Sequence, residues 1–127
     1  MMIRSLIHLT RIALFAPLWG CVSPNDVLCT AIAVPGINVL VRDSASGSFA
    51  SDGATATAVD GGYTDTNGFP EGFAQPETPI SLAYEREGTY AVTVTRAGYR
   101  AWTTSGVHVS RDVCHVRTVT FTARLQH

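Results

Sequence analysis

Gly88-Thr89-Tyr90-Ala91-Val92-Thr93-Val94-Thr95 is the stretch that decides the fold class of this chain. Tyr90, Val92 and Val94 alternate with Ala91, Thr93 and Thr95. Because successive side chains of a strand point to opposite faces, the three large residues share one face. A period of two, rich in Val and Thr, predicts a half-buried antiparallel strand rather than a helix.

The same alternation recurs on both sides of this stretch. The apolar positions are Ile37, Val39, Val41, Val107, Val109, Val119, Phe121, Ala123 and Leu125. Turn-forming residues interrupt the pattern at Asp43–Gly47, Asp60–Gly62, Glu87–Gly88, Ala97–Gly98 and Ser110–Asp112. Three prolines make residues 67–79 the longest irregular stretch, because proline cannot donate to a strand ladder. These features predict an all-β fold: a single antiparallel β-sandwich of about seven strands.

Length and charge narrow the classes of function. The chain has 127 residues, which suffices for one domain with one core. Without residues 1–20, seven arginines face ten acidic residues, a formal charge of −3. The arginines are spread singly along the chain, whereas phosphate contacts in nucleic-acid binding require clustered basic residues. We therefore expect no nucleic-acid partner.

The N-terminus has the pattern of an export signal. Residues 1–11 carry Arg4 and Arg11 and no acid, and residues 12–20 are almost wholly apolar. A positive start followed by a short apolar run is typical of a secretory signal peptide, and this run is too short to span a bilayer. We expect residues 1–20 to be a cleaved helical signal peptide and residues 21–28 a tether.

The residues around the expected cleavage point resemble the bacterial lipobox. Leu18, Gly20 and Cys21 match its pattern, whereas Trp19 departs from it, because a smaller side chain is usual there. The resemblance implies that acyl chains such as palmitate are attached to Cys21, giving a lipoprotein with a stable membrane anchor. The residue after the cysteine is Val22 rather than an aspartate. This implies an outer-membrane location, with the domain facing the periplasm or the cell surface.

Assigning Cys21 to the lipid leaves Cys29 and Cys114 as an even pair in an oxidising compartment. Cys29 precedes the first strand-like run and Cys114 precedes the last. We therefore expect a disulfide that closes a loop spanning most of the domain and stabilises it by roughly 4–5 kcal/mol in the chain-entropy model. A reactive or metal-binding cysteine is the alternative, but it lacks a CxxC pair or clustered histidines.

Residues 29–127 resemble the carboxypeptidase regulatory-like domain, a transthyretin-like (prealbumin-like) β-sandwich. Two segments carry the resemblance: Pro35–Gly47, which enters the first strand, and Gly88–Val94, followed by Gly98-Tyr99. The resemblance implies an accessory module without catalytic residues of its own. The family's usual Gly-rich turn and aromatic strand are replaced here by residues 67–79, which leaves the strand order around residues 53–84 open.

No motif in the sequence predicts catalysis, a metal or a cofactor. His108 and His115 stand among polar neighbours, without a Gly-x-Ser-x-Gly motif, and we interpret them as surface or capping residues. Asp60, Asp65 and Asn67 miss the spacing of a calcium loop and suit turns instead. Glu85 and Glu87 lie two apart, as a catalytic carboxylate pair on one strand face could, but we assign them to a solvated hairpin end. His127 is placed in no site.

Aromatic residues are the candidates for binding. Phe69 and Phe73 lie in the 67–79 stretch, and large apolar residues in a loop point to a binding role because loops often carry function. Tyr99 and Trp102 follow the Gly88–Thr95 strand. Packing is the competing interpretation, above all for Tyr99 and Trp102. The sequence thus favours a lipid-anchored, non-enzymatic envelope module with a structural or protein-interaction role, whose partners would be a membrane and an envelope protein. The alternative is a carbohydrate-binding module that holds polysaccharide on exposed loop aromatics.

Overall fold

Two β-sheets stacked face to face form the domain in a computed structural model that describes residues 26–127. The seven strands are β1 (Ile37–Asp43), β2 (Thr55–Asp60), β3 (Tyr63–Gly68), β4 (Ile80–Leu82), β5 (Gly88–Thr95), β6 (Trp102–Val109) and β7 (Val119–Leu125). The prediction of an all-β sandwich of about seven strands is confirmed. The expected signal peptide, Cys21 and most of the tether lie outside the described residues.

The strand order places the first and last strands side by side. One sheet has the order β4-β1-β7 and the other β3-β2-β5-β6. All pairs are antiparallel except β1 and β7, which run parallel from Ile37 opposite Val119 to Asp43 opposite Leu125. The parallel pair departs from the antiparallel prediction, because the chain crosses to the other sheet and back between the two strands.

The core lies between the sheets and follows the predicted alternation. On β1 and β5 the alternating apolar side chains are at most 1% exposed: Ile37, Val39, Val41, Tyr90, Val92 and Val94. Ala123 and Leu125 of β7 and Ile80 and Leu82 of β4 complete the same cluster. The burial of these side chains from water is the main force that holds the two sheets together.

The second and third strands differ from this pattern, which explains why alternation of large residues does not reveal them. β2 buries only Ala56 and Ala58, and no residue of β3 is fully buried. The two strands form a hairpin that reverses at Gly61, whose φ of 56° suits a tight turn. Asn67 and Gly68 belong to β3, so the long irregular segment begins at residue 69 rather than at residue 67.

Candidate functional surfaces at the two ends of the sandwich

The sandwich has two ends with different chemistry. We call the disulfide end the one formed by residues 27–34, the β4–β5 turn at residues 83–87 and the β6–β7 loop at residues 110–118. The opposite, distal end comprises the turn at residues 43–47, the loop at residues 69–79, residues 96–101 and residues 126–127. Residues 26–28 lead into the domain at the disulfide end.

Cys29 and Cys114 form a disulfide, as predicted. Their Cα atoms are 5.2 Å apart, which is a normal separation for a bridged pair. The bond joins the segment before β1 to the loop before β7, across 85 residues of sequence. It therefore fixes the segment before β1 to the β6–β7 loop.

Glu85 lies at the centre of the disulfide end. Its backbone is left-handed, with φ 51°, an unusual conformation for a residue other than glycine. Its Oε1 accepts hydrogen bonds from the backbone N–H of Val34 at 2.8 Å and from the His115 ring at 2.7 Å. The Val34 bond, followed by the His115 bond, holds the pKa of Glu85 below its usual range. Glu85 is therefore not on a strand face with Glu87, and the assignment of both to a solvated hairpin end is wrong for Glu85.

His115 connects Glu85 to the segment before β1. Its Nδ1 lies 2.7 Å from Glu85 Oε1, and its Nε2 lies 2.9 Å from Thr30 Oγ1. Because the carboxylate can only accept, Nδ1 carries a proton, and in the neutral ring Nε2 accepts from the Thr30 hydroxyl. His115 lies in a loop rather than on a strand, and its side chain is only 20% exposed. The interpretation of His115 as a surface residue is therefore corrected to that of a bridging residue.

Hydroxyl, imidazole and carboxylate thus follow one another in the order that acyl-transfer enzymes use to activate a nucleophile. The same three groups also have a structural role here. Thr30 and Val34 belong to the segment before β1, and Glu85 and His115 belong to two separate loops. The hydrogen bonds tie that segment to both loops, close to the Cys29–Cys114 disulfide, in an open depression that Arg111 also lines.

Four exposed apolar side chains belong to residues within three positions of Cys29 or Cys114 in the sequence. Val27 is 61% exposed, Leu28 94%, Ile32 65% and Val113 78%, and we call these four residues the apolar rim. Leu28 directly precedes Cys29 and Val113 directly precedes Cys114. Sequence reasoning assigned residues 21–28 to a tether and so missed this surface, although Val27-Leu28 and Val113 stand outside every alternating strand.

Three of the four candidate binding aromatics pack inward. Trp102 stacks on Phe121 with ring centroids 5.8 Å apart, and Phe69 is half-buried against the core. Tyr99 is also half-buried and donates its hydroxyl hydrogen to Asp43 Oδ2 at 2.9 Å. The structure therefore does not bring the four aromatics together on one binding face.

Phe73 is the exception, with 73% of its surface exposed at the distal end. The Asp52 carboxylate accepts hydrogen bonds from the backbone N–H groups of Gly72 at 2.7 Å, Phe73 at 3.1 Å and Ala74 at 3.2 Å. These bonds, led by that from Gly72, lower the pKa of Asp52. The loop is therefore held in one shape around an exposed ring, which is the arrangement of a preorganised contact residue.

A second carboxylate organises the rest of the distal end. Asp43 Oδ1 accepts from the backbone N–H groups of Ala45 and Ser46 at 2.9 and 2.7 Å, and Oδ2 contacts Tyr99 and His127 Nε2, both at 2.9 Å. The His127 ring also lies on the Tyr99 ring, with centroids 4.1 Å apart. The bond from Ser46, followed by that from Tyr99, holds the pKa of Asp43 far below its usual range. His127 therefore has a defined place that the sequence did not suggest.

The oxygen-bearing side chains considered for calcium have separate partners. Asp60 bonds Arg86 at 2.9 Å, Asp65 accepts from the backbone N–H of Ala83 at 2.7 Å, and Asn67 donates to the Ser81 carbonyl at 3.0 Å. Within residues 26–127 no group of three or more His, Cys, Asp or Glu side chains is placed to hold a metal ion. All three lie on strands: Asp60 is the last residue of β2, directly before the turn at residues 61–62, whereas Asp65 and Asn67 lie within β3, so the turn interpretation is wrong for these two.

Comparison with known proteins adds no family to this geometry. No protein-family model matches the chain, and a search of curated proteins finds no match. Over residues 26–127 there is also no helix long and apolar enough to cross a membrane. The function must therefore be inferred from the residues at the two ends of the sandwich.

Acid should destabilise the fold through its bonded carboxylates. The pKa values of Asp43, Asp52, Glu85 and Asp112 are all lowered in the folded protein. A carboxylate with a lowered pKa stabilises the fold above its ordinary pKa, near about 4, and this contribution is lost as the pH falls through the folded value. We expect a nearly constant free energy of unfolding around neutral pH and a steady decline below about pH 4, measured by urea denaturation across pH.

The matched variant for this experiment is Asp43→Asn, because its amide nitrogen cannot accept the Tyr99 hydrogen bond. We expect the variant to be less stable at neutral pH and its stability to fall less steeply in acid. An identical acid slope in the two proteins would contradict the assignment to Asp43.

Proposed function

We propose that this chain is a lipid-anchored, non-catalytic β-sandwich module of the bacterial cell envelope that binds an envelope protein through its distal end. The observation that carries the proposal is the separation of two surfaces. The tether joins the domain beside the Cys29–Cys114 disulfide, whereas the exposed Phe73 lies at the opposite end. An anchor and a contact residue at opposite ends suit a protein that holds a partner away from a membrane.

The lipid anchor rests on the sequence. The charged and apolar residues before Cys21 and the lipobox-like Leu18, Gly20 and Cys21 support export and acylation, and Val22 supports an outer-membrane location. The disulfide agrees with export, because such bonds persist in oxidising compartments. Resemblance to the carboxypeptidase regulatory-like domain supports an accessory role, since that family has no catalytic residues.

The length of the sandwich sets how far the distal end stands from the anchor. β1 has seven residues, and at about 3.3 Å per residue it spans roughly 23 Å. Phe73 therefore lies about one strand length beyond the disulfide. A preorganised aromatic side chain at such a tip is a typical anchor residue for a protein partner, because aromatic residues dominate the energy of many interfaces.

Carbohydrate binding is the second candidate, and Phe73 is also the observation that favours it. An exposed ring can stack on a sugar, as other aromatic platforms do. The candidate is weaker than protein binding because Phe69, Tyr99 and Trp102 are turned inward, which leaves a single ring rather than a platform.

Ester or amide hydrolysis is the reading that the Thr30–His115–Glu85 series would favour. We assign the series a structural role because the Thr30 and Val34 bonds join the segment before β1 to two loops, and the His115–Glu85 bond joins those loops to each other. A hydrolysis assay with an activated ester distinguishes a catalytic role from a structural role of the series. The proposal expects equal rates for the protein and its Thr30→Val variant, whereas a nucleophilic Thr30 predicts a loss of activity in that variant.

The test of partner binding uses a photo-crosslinking amino acid at two exposed aromatic positions in living cells. Phe73 lies at the distal end, and Tyr84, which is 49% exposed, lies at the disulfide end. We expect a discrete protein adduct from position 73 and none of the same mass from position 84. Phe73→Ala should weaken binding of the captured partner by roughly thirtyfold, because loss of a central aromatic contact costs about 2 kcal/mol.

Other outcomes separate the alternatives. An adduct with polysaccharide at position 73 would favour the carbohydrate candidate, and equal adducts at both positions would contradict a distal binding end. The anchor is tested independently by the intact mass of the membrane-extracted protein, which should correspond to an acylated chain beginning at Cys21. A mass without acyl chains would contradict the lipid anchor.

A further inference from the structure

We propose that the apolar rim is a membrane-contacting surface, so that the disulfide end rests on the lipid headgroups and the sandwich stands away from the bilayer. This inference rests on the proposed lipid anchor at Cys21. It adds to that anchor a second contact, made by the folded domain itself, and hence a fixed orientation. The occupant of the surface is the interfacial region of the bilayer that holds the acyl chains.

The apolar rim is exposed, and the disulfide joins its two parts of the chain. Leu28 and Val113 are 94% and 78% exposed, although both are branched aliphatic residues that favour burial. The disulfide brings their neighbours Cys29 and Cys114 to a Cα separation of 5.2 Å. Two residues with exposed apolar side chains, from distant parts of the sequence, are thereby held close together, and the exposed Val27 and Ile32 lie within three positions of Cys29.

The chain between the proposed anchor at Cys21 and the apolar rim is short. Cys29 lies eight positions after Cys21. A fully extended chain spans at most about 3.3–3.6 Å per residue, so the disulfide lies within about 29 Å of an acylated Cys21. Leu28 is one residue closer. A surface this close to the acyl chains meets the bilayer interface repeatedly, and contact is favoured because it removes apolar area from water.

The charged side chains around the apolar rim give it no net positive charge. Arg111 and Arg117 are exposed there, and three acidic side chains offset them: Asp26, Asp112 and Glu85, whose Oε2 lies 3.6 Å from Arg111. The Asp112 carboxylate is already engaged by the backbone N–H groups of Cys114 and His115, each at 2.9 Å. The surface is close to neutral, so apolar contact rather than attraction to anionic lipids supplies the interaction. The contact should therefore depend little on the content of anionic lipid.

The experiment measures the depth of two tryptophans in the lipidated protein. Trp102 is the tryptophan that remains after removal of residues 1–20, and Trp102→Phe provides a silent background. Leu28→Trp places a probe on the rim, and Phe73→Trp is its matched control at the distal end. Both positions are highly exposed, so neither change disturbs packing. The vesicles contain phosphatidylethanolamine, phosphatidylglycerol and a phosphatidylcholine with brominated acyl chains, which quench nearby tryptophans.

We expect severalfold stronger quenching at position 28 than at position 73, and the same ratio when phosphatidylglycerol is replaced by phosphatidylcholine. Quenching at neither position, in protein that carries acyl chains and floats with the vesicles, would overturn the inference and leave the lipid anchor standing. Equal quenching at both positions would overturn the fixed orientation. A protein without acyl chains that fails to float would instead contradict the proposed function.

A second measurement uses the unsubstituted lipidated protein, because an introduced tryptophan could itself favour the interface. Lipids with a nitroxide on the headgroup broaden the amide signals of nearby residues. We expect broadening at residues 27, 28, 32 and 113 and sharp signals at residues 70–75. The reverse pattern would contradict the proposed orientation even if the tryptophan result supported it.

Discussion

Removal of the Cys29–Cys114 disulfide should lower the free energy of unfolding by about 4–5 kcal/mol, the largest effect that we expect from any change described here. The bond closes a loop of 85 residues, and in the chain-entropy model the stabilisation grows with the logarithm of loop length. Domains of this size are stable by only about 5–15 kcal/mol, so the Cys29→Ala/Cys114→Ala double variant should be marginal. Urea denaturation, with Cys21 replaced by serine in both proteins, measures the difference.

The same protein with intact cysteines, unfolded under reducing conditions, is the control. It should match the double variant, because both lack the covalent link and keep the contacts of Glu85 with Val34 and His115. A difference below about 1 kcal/mol between oxidised and reduced protein would contradict the expectation. It would mean that the hydrogen bonds at the disulfide end hold the segment before β1 without the disulfide.

Tyr90→Ala should cost about 3–5 kcal/mol, the second largest effect. The Tyr90 side chain is 1% exposed and is the largest fully buried side chain in the described part of the domain. Its ring meets Tyr63 edge to face with centroids 6.2 Å apart. Truncation would leave a cavity between the sheets and remove the hydrogen bonds of the hydroxyl group.

Tyr90→Phe separates packing from hydrogen bonding. The hydroxyl of Tyr90 donates to the carbonyl of Arg86 and accepts from its guanidinium, both at 2.9 Å. Loss of these bonds alone should cost about 1–3 kcal/mol. If the phenylalanine variant lost as much stability as the alanine variant, the contribution of the ring to the core would be refuted.

Strands with large apolar residues could be predicted from the sequence, and strands without them could not. β1, β5, β6 and β7 alternate Ile, Val, Tyr or Phe with polar residues, which makes the period of two visible. β2 alternates Ala56 and Ala58 with Thr and Val, a pattern that loops can also show. β4 has three residues, too few for any period. The parallel pairing of β1 with β7 depends on the whole topology and has no local signal.

The features at the two ends of the sandwich also differ in whether the sequence could predict them. The disulfide could be predicted because cysteines in an exported chain pair by number. The Thr30–His115–Glu85 bonds could not, because they join residues up to 85 positions apart and depend on the left-handed backbone of Glu85. The exposure of the aromatic residues could not be predicted either. Phe69, Phe73, Tyr99 and Trp102 look alike in the sequence, and only the packing of the two sheets distinguishes the exposed Phe73 from the other three.

The position of the disulfide also decides how the domain would respond to a pulling force. If one end of the molecule is fixed at the membrane and residue 127 is pulled, the load passes from Cys29 directly through the sulfur atoms to Cys114 and then along β7. Residues 30–113 lie outside this covalent path and receive load only through their noncovalent contacts with the rest of the chain, such as the pairing of β1 with β7. Because β7 runs parallel to β1, its hydrogen bonds to β1 would be sheared together rather than opened one at a time. Most of the fold would therefore persist as an intact body under tension that stretches residues 115–127.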